Sequence, residues 1–193
     1  MIFPRLRRPA DPETFRFPLP WHGRLALVDT DLRGNSGSLN LESTDLATIE
    51  AWAPESIALP LPIALSYAAQ RLAGANLLPS LRSAIVVLSS LALPGAPMTD
   101  DHRDLLWRAF GLPVFEQLLG PDGSVIAQEC EVHDGLHAEC VSIDPQTGEL
   151  IVMGQPAGCS AEIVTGHCDC GLETPRVRNL TRLRERVAAA AAG

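Results

Sequence analysis

The sequence predicts an α/β fold: a parallel sheet with flanking helices, followed by a small antiparallel β meander and a C-terminal helix. Up to about residue 119, short apolar runs alternate with segments of helical periodicity, which is typical of a parallel α/β layer. Beyond this point apolar residues alternate with polar ones around turn residues, which indicates antiparallel strands. We therefore divide the chain into an irregular N-terminal arm (1–22), an α/β layer (23–123), a β meander (124–180) and a helical tail (181–193).

The first part of the α/β layer contains one predicted strand and one predicted helix. The run RLALVDTDL predicts a strand, and the turn-rich connection RGNSGS follows it. In DLATIEAWAPESI, the apolar side chains of Leu46, Ile49 and Trp52 recur at helical spacing. This segment therefore predicts a short amphipathic helix, which Pro54 helps to end.

The second part of the layer repeats the alternation. Ile63 to Leu72 predicts a helix, and the β-branched run SAIVVL after it predicts a buried parallel strand. The segment MTDDHRDLLWRAFG has a capping Thr99, acidic residues in its first turn and a closing Gly111, as expected for a helix. LPVFEQLL then predicts another buried strand.

The meander and the tail differ in pattern from the layer. SVIAQECEVHDGLHAECVSIDPQTGELIVMG has alternating strand patterns and a PQTG turn, so it predicts an antiparallel meander. The final segment, RVRNLTRLRERVAAAAAG, predicts a helix with arginines on one side.

The charge of the chain restricts its partners. A net charge of −8 and a pI near 5.0 argue against binding to nucleic acid or to membrane surfaces, because both are polyanionic. The tail arginines could in principle contact nucleic acid, but a solvated helix face explains them better. They are Arg176, Arg178, Arg182, Arg184 and Arg186.

The sequence also indicates a compartment. No apolar run approaches the roughly 18 residues that a membrane span needs. Prolines interrupt the N-terminal segment where a signal peptide would be continuously apolar. We therefore expect a cytoplasmic protein with reduced thiols.

All five cysteines lie in the last third of the chain, at Cys130, Cys140, Cys159, Cys168 and Cys170. In a reducing compartment such clustering suggests a metal site more than disulfides.

The pair Cys168 and Cys170 could supply two thiolates to one zinc ion, which needs four ligands. The segment ECEVHDGLHAEC offers the other two, but spacing alone does not choose between His133 and His137 as the partner of Cys130. A turn at the DG dipeptide would fold His137 back beside Cys130 across a hairpin. A closed set of four ligands would give the zinc a structural role, because a catalytic zinc keeps one position open.

Several segments of the chain follow a family pattern in the same order. SAIVVLSSLALPGAPMTDDHRDLLWRAFGLPVFEQ is similar to a strand, loop, helix and strand that end in "A-F-G-x-P-V-y-d". IAQECEVHDGLHAE and IDPQTGEL resemble "a-x-E-C-x-x-x-D-G-l-H" and "i-D-P-e-T-G-E-l". HCDCGLETPRVRNL resembles "C-x-C-G-r-t-x-P-R-i-x-x-i". Together, from about Asp45 to Leu180, these segments resemble the phenylacetate-CoA ligase branch of the AMP-forming adenylating enzymes.

The resemblance implies both a fold and a metal site. It implies that residues 23–123 form a fragment of the N-terminal core of the adenylating enzymes. Zinc-carrying members of the family bind the ion through the Cys of E-C, the His of D-G-l-H and both Cys of C-x-C-G. Carried onto this chain, the ligands of a structural zinc would be Cys130, His137, Cys168 and Cys170.

The chain departs from the family pattern where the family handles ATP. The adenine loop "G-G-E-P-l" is replaced by Ser89–Leu93, which lacks the acid. The motif "Y-G-x-T-E", whose Glu helps to hold magnesium, aligns near Leu118, Leu119, Pro121 and Asp122. The similarity also begins after the family's lysine-containing phosphate loop and ends before the C-terminal domain that carries its catalytic lysine.

These departures lead to an expected function. We expect a truncated, degenerate ligase-like protein without catalytic residues, which serves as a zinc-stabilised binding or interaction module. The alternative is a subunit of a split acyl-CoA or aryl-CoA ligase, in which a separate chain supplies the phosphate loop and the lysine domain. In either case we expect a protein partner or a homo-oligomer, formed through exposed apolar faces.

Overall fold

The computed structural model describes residues 15, 18–19, 23–34, 37–43, 45–90, 97–120, 123–152 and 154–182. The predicted arm (1–22) lies almost wholly outside these residues, as does most of the predicted tail (181–193).

The predicted helices and strands of the α/β layer occur in their predicted order, with two further strands among them. The helices are α1 (Leu46–Trp52), α2 (Leu61–Leu72) and α3 (Asp100–Phe110). The strands of the first part are β1 (Leu25–Val28), β2 (Ser38–Leu41), β3 (Ser56–Pro60), β4 (Ile85–Ser90) and β5 (Val114–Leu119). Those of the second part are β6 (Val125–Glu129), β7 (Leu136–Ala138), β8 (Val141–Ile143), β9 (Leu150–Val152), β10 (Gln155–Pro156), β11 (Cys159–Val164) and β12 (Arg176–Arg182).

Nine of these strands form one mixed sheet in the order β11-β12-β7-β6-β5-β4-β3-β1-β2. The pairs from β2 to β5 are all parallel. From β5 to β11 every pair is antiparallel. The predicted parallel layer is therefore confirmed, and it shares a continuous sheet with part of the meander.

The parallel strands are buried on both faces, which explains why their sequences are apolar without alternation. On one face, Ile85 and Val87 of β4 pack in a cluster with Ile49 of α1, Ala64 of α2 and Leu106 of α3. On the opposite face, Val86 and Leu88 pack in a second cluster that contains Leu25 and Phe115. All three helices contribute to the first cluster, so they cover the same face of the sheet.

Helix α3 begins and ends as its sequence predicts. The Thr99 side chain accepts a hydrogen bond from the His102 backbone, and the His102 ring accepts one from the Thr99 backbone. Gly111 ends the helix with a φ of 66°, a conformation that favours glycine. Helix α2 starts at Leu61 rather than at the predicted Ile63, because proline is well tolerated in the first turn of a helix.

The predicted meander does not form a single sheet. β6 and β7 extend the nine-stranded sheet, whereas β8, β9 and β10 form a separate three-stranded sheet. Gly148 has a φ of 68° in the turn between β8 and β9, where the PQTG sequence predicts a turn.

The prediction that a helix begins at Arg176 is wrong for Arg176–Arg182, which form β12. This strand pairs with β7 on one side and β11 on the other, and Val177 is buried in a core cluster of the meander. Strands β7 and β11 lie on either side of β12, and their backbone N–H and C=O groups that face it need hydrogen-bond partners. A strand at this position supplies these partners, whereas a helix cannot. The rest of the predicted helix, 183–193, lies outside the described residues.

Within the described residues, every helix falls short of the length and apolar content that crossing a membrane demands.

Candidate metal centre

Strand pairing brings three separate segments of the chain to one place. Cys130 directly follows β6, and the antiparallel β6–β7 hairpin pairs Gln128 with His137. The turn of this hairpin therefore folds His137 back towards Cys130. On the other side of β7, β12 pairs Arg176 with His137, so the loop that enters β12 reaches the same place. That loop carries Cys168 and Cys170.

The metal-binding atoms of these four side chains form a compact cluster. The three Sγ atoms and the nearest ring nitrogen of His137 all lie within 4.8 Å of one another. Cys130 Sγ is 3.9 Å from Cys168 Sγ, and Cys170 Sγ is 3.4 Å from His137 Nε2. Around a tetrahedral zinc, two sulfurs would be about 3.8 Å apart, and a sulfur and a nitrogen about 3.6 Å apart. The two pair distances match this spacing, and the cluster could hold a metal ion.

The cluster is enclosed by protein. Cys130, His137 and Cys168 are buried, and Cys170 is half-buried. Four protein donors already complete a tetrahedral set, which leaves no position for water or substrate. A donor set of this kind could hold a metal ion.

The protonation of the cluster explains why a cation would suit it. Burial, followed by the neighbouring Cys170 and Cys168 thiols, raises the pKa of Cys130 to about 12. The backbone N–H of Cys170 lowers the pKa of Cys168. Burial lowers the pKa of His137, which favours the neutral ring that a metal ligand must be. Without a cation, neighbouring negatively charged thiolates would repel one another, and a divalent ion would remove this repulsion.

Polar contacts surround the cluster on the side of β12. His137 Nδ1 is 2.9 Å from Thr174 Oγ1. The buried Arg176 donates to the Asp134 carboxylate, which also accepts from Arg178. Arg176 and Arg178 alternate with Val177 along the strand, and both tie the β6–β7 turn to β12.

The structure keeps His133 away from the thiols. Its ring stacks on Phe115 with centroids 4.8 Å apart, and its Nδ1 is 3.3 Å from Glu129 Oε1. The spacing of the sequence leaves both histidines open as partners of Cys130, and the hairpin brings His137 to the thiols.

The remaining cysteines are not in the cluster. Cys159 is buried among apolar side chains of the meander, and Cys140 is exposed. The His167 side chain is also exposed, although it precedes Cys168 in the chain.

A polar cleft of about 570 Å³ lies over the sheet beside α3, and no sequence motif pointed to it. Arg103 of α3 forms a salt bridge of 2.8 Å with the buried Glu129. Glu129 also accepts a hydrogen bond from the backbone N–H of Glu116. Burial raises the pKa of the Glu116 carboxyl group. Sequence reasoning missed these groups because they come from α3, β5 and β6, and no spacing within one segment links them.

No protein-family model matches the sequence, and no curated protein does. Solved structures do match: one is 2-hydroxyisobutyryl-CoA ligase in an open conformation in complex with 2-HIB-AMP and CoA. Its TM-score is 0.62 at 13% identity, over 89% of this chain and 50% of that chain. The acyl-CoA synthetase (AMP-forming)/AMP-acid ligase II-like protein from Dyadobacter fermentans DSM 18053 has a TM-score of 0.50 at 14% identity, over 89% and 56%.

This chain has the fold of the AMP-forming acyl-CoA ligases. It spans about half the length of the ligases that it matches, and the low identity shows the fold alone. The expected α/β fold of an adenylating-enzyme core agrees with this finding, and the assignment of residues 23–123 to it stays a prediction.

The fold also gives a position to the segments that stand where the family has its ATP motifs. Ser89 and Ser90 end β4, and Leu118 and Leu119 end β5, so both segments lie at the carboxyl edge of the parallel strands. Ligands of open α/β sheets bind at this edge. Residues 91–93, 121 and 122, which complete these segments, lie outside the described residues.

Proposed function

We propose that this chain is a zinc-stabilised binding or interaction module with the fold of a phenylacetate-CoA ligase-like protein, and that it does not activate acids by itself. The observation that carries the proposal is the Cys3His cluster, whose donor atoms lie within 4.8 Å of one another.

The donor chemistry supports zinc. Thiolate and imidazole are soft or borderline ligands, which favour zinc over magnesium and calcium, whereas the latter two prefer oxygen. A tetrahedral set of three sulfurs and one nitrogen is a common structural zinc site. Cys130, His137, Cys168 and Cys170 would hold the ion, and the ion would supply a cross-link and positive charge.

Zinc would join parts of the chain that are far apart in sequence. Cys130 and Cys168 are 38 positions apart, and β8 to β11 lie between them. Because an unfolded chain has no preformed site, the free energy of zinc binding would become folding free energy of the meander.

The absence of acid activation is proposed from the composition of the ATP segments. Adenylation requires ATP, magnesium and a carboxylate to be placed together, with charge stabilised at the α-phosphate. Where the family has an acidic adenine loop this chain has Ser89–Leu93, and where the family has "Y-G-x-T-E" it has Leu118, Leu119, Pro121 and Asp122. Only Asp122 keeps a charge similar to that of the family's Glu, and the other, apolar and hydroxyl side chains supply few of the groups that the reaction needs.

The first experiment measures metal and activity on the same sample. Purified protein is analysed by mass spectrometry of its metals, unfolded in urea with and without a chelator, and assayed for ATP–pyrophosphate exchange with phenylacetate. We expect one zinc per chain, a lower stability after chelation, and no exchange above a no-protein control. A sample that folds equally well without zinc would contradict the metal part, and acid-dependent exchange would contradict the non-catalytic part.

A second candidate is a subunit of a split ligase. It is supported by exposed apolar side chains on two helices, which a second chain could cover. Trp107 of α3 is 54% exposed and Leu72 of α2 is 50% exposed. Mixing the protein with a second ligase-fold chain that carries the phosphate loop should then restore exchange. If the protein is a monomer by light scattering and does not change the ATP–pyrophosphate exchange of such a chain, this candidate is contradicted.

A further inference from the structure

We infer that Thr174 is a positioning residue for the metal centre: its hydroxyl oxygen accepts the Nδ1 proton of His137 and so directs Nε2 towards the thiols. This inference rests on the proposed function, because it assigns a role to a residue that supports one of the four proposed ligands.

The two ring nitrogens of His137 have different surroundings. Nε2 is 3.4 Å from Cys170 Sγ, inside the cluster. Nδ1 is 2.9 Å from Thr174 Oγ1, outside it. A neutral imidazole carries one proton, and a nitrogen that binds a metal must offer its lone pair. If Nε2 binds the ion, the proton is on Nδ1, and Thr174 Oγ1 lies at hydrogen-bond distance as an acceptor.

The backbone on both sides of Thr174 is anchored by hydrogen bonds. After it, Pro175 O accepts a hydrogen bond of 3.0 Å from the backbone of Ala138, and Arg176 then pairs with His137. Before it, the loop is closed by a hydrogen bond of 2.8 Å from the Gly171 backbone to Cys168 O. Thr174 therefore lies at a fixed position between the thiols and β12, next to the ring that it contacts.

The same short segment would thus supply two ligands and the support for a third. Cys168 and Cys170 offer their thiolates, and Thr174 orients the imidazole that comes from β7. Residues that hydrogen-bond to a metal-binding histidine fix its tautomer and ring orientation, and their loss typically lowers metal affinity 10- to 100-fold.

Three variants test this role. Thr174→Val keeps the shape of the side chain but removes the acceptor, and Thr174→Ser keeps the acceptor. Thr181→Val is the control, because Thr181 is exposed on β12, the strand that follows Thr174, and its hydroxyl donates to the backbone carbonyl of Asn179. The zinc dissociation constant is measured by competition with a chromogenic chelator, and the exchange of the His137 Nδ1 proton by NMR of the zinc-loaded protein.

We expect Thr174→Val to weaken zinc binding by about 10- to 100-fold and to speed exchange of the Nδ1 proton, with Thr174→Ser and Thr181→Val close to wild type. The urea midpoint of the metal-free protein should be similar in all four, which separates a ligand effect from a folding effect. The inference is overturned if the wild type binds zinc and Thr174→Val binds it equally well. It is also overturned if Thr174→Ser does not keep the zinc affinity of the wild type. A wild type that binds no zinc overturns the proposed function, and the role of Thr174 with it.

Discussion

Cys170 Sγ lies 3.4 Å from His137 Nε2, although the two residues are 33 positions apart in the chain. The pairing of β7 with β12 brings them together, because its register places Arg176 opposite His137 and so sets where the cysteine loop ends. Predictions about the metal centre are therefore predictions about this pairing as well.

Alanine substitutions at His137 and His133 should differ in their effect on zinc content. His137→Ala removes a proposed ligand, so the purified protein should contain substoichiometric zinc and unfold at lower urea. His133→Ala should retain one zinc, because the His133 ring stacks on Phe115 outside the cluster. The loss of that stacking should cost roughly 1 kcal/mol of stability. Metal analysis of both variants decides the matter, and equal zinc loss would contradict the assignment.

The thiols should differ in their reactivity towards iodoacetamide. Cys140 is exposed and Cys159 is buried, so in the zinc-loaded native protein Cys140 should be alkylated first. Removal of zinc by a chelator should make Cys170 reactive, because a metal-bound thiolate is protected and Cys170 is the most accessible of the three. Mass spectrometry of the digested protein identifies the labelled sites. Rapid labelling of Cys170 before chelation would be inconsistent with a metal bond.

Zinc binding should release protons. Burial raises the pKa of Cys130 to about 12, so this thiol is protonated at neutral pH in the metal-free protein and must lose its proton to bind. The lowered pKa of His137 means that the ring is already neutral and releases little. We expect at least one proton, that of Cys130, to be released per zinc at pH 7, and an affinity that falls as the pH is lowered. Calorimetric titration in buffers of different ionisation enthalpy gives the number, and a heat that is independent of the buffer would refute the expectation.

Gly135→Ala should weaken both the fold and the metal centre. Gly135 has a φ of 92°, and a Cβ there would lie 2.9 Å from the Val177 carbonyl oxygen and 2.8 Å from Arg178 Cγ. The clash would separate the β6–β7 turn from β12, and a cost of about 2 kcal/mol is expected. Gly148→Ala is the matched control, since Gly148 has a φ of 68° but no atom within 4 Å of the added Cβ. Urea unfolding should show the larger loss for Gly135→Ala, and similar losses would mean that the close approach has no energetic effect.

Two salt bridges that involve arginine should differ in their contribution to stability. Arg103→Ala leaves Glu129, which is 5% exposed, without its cationic partner, and a loss of about 3 kcal/mol is expected. Arg82→Ala breaks a pair in which the arginine is 66% exposed, so less than about 1 kcal/mol should be lost. Urea unfolding at neutral pH compares the two. A loss for Arg82→Ala as large as that for Arg103→Ala would contradict this ranking.

Much of the fold could be predicted because it depends on neighbouring residues. The β-branched run that forms β4 and the Thr99 and Gly111 caps of α3 carry their signals within a few positions. The fate of Arg176–Arg182 could not be predicted in this way. These residues form β12 because the neighbouring strands β7 and β11 have backbone N–H and C=O groups that need hydrogen-bond partners. The local sequence of residues 176–182 contains no information about those distant strands.

The sequence by itself determined the elements of the α/β layer and the supply of thiols and imidazoles in its last third, since periodicity, capping and donor type are properties of short segments. Only the tertiary structure decided that His137 joins the thiols while His133 packs on Phe115, and that Glu129 meets Arg103. The physical reason is that strand register fixes which side chains face one another, and register is set by the pairing of segments that are far apart in the chain.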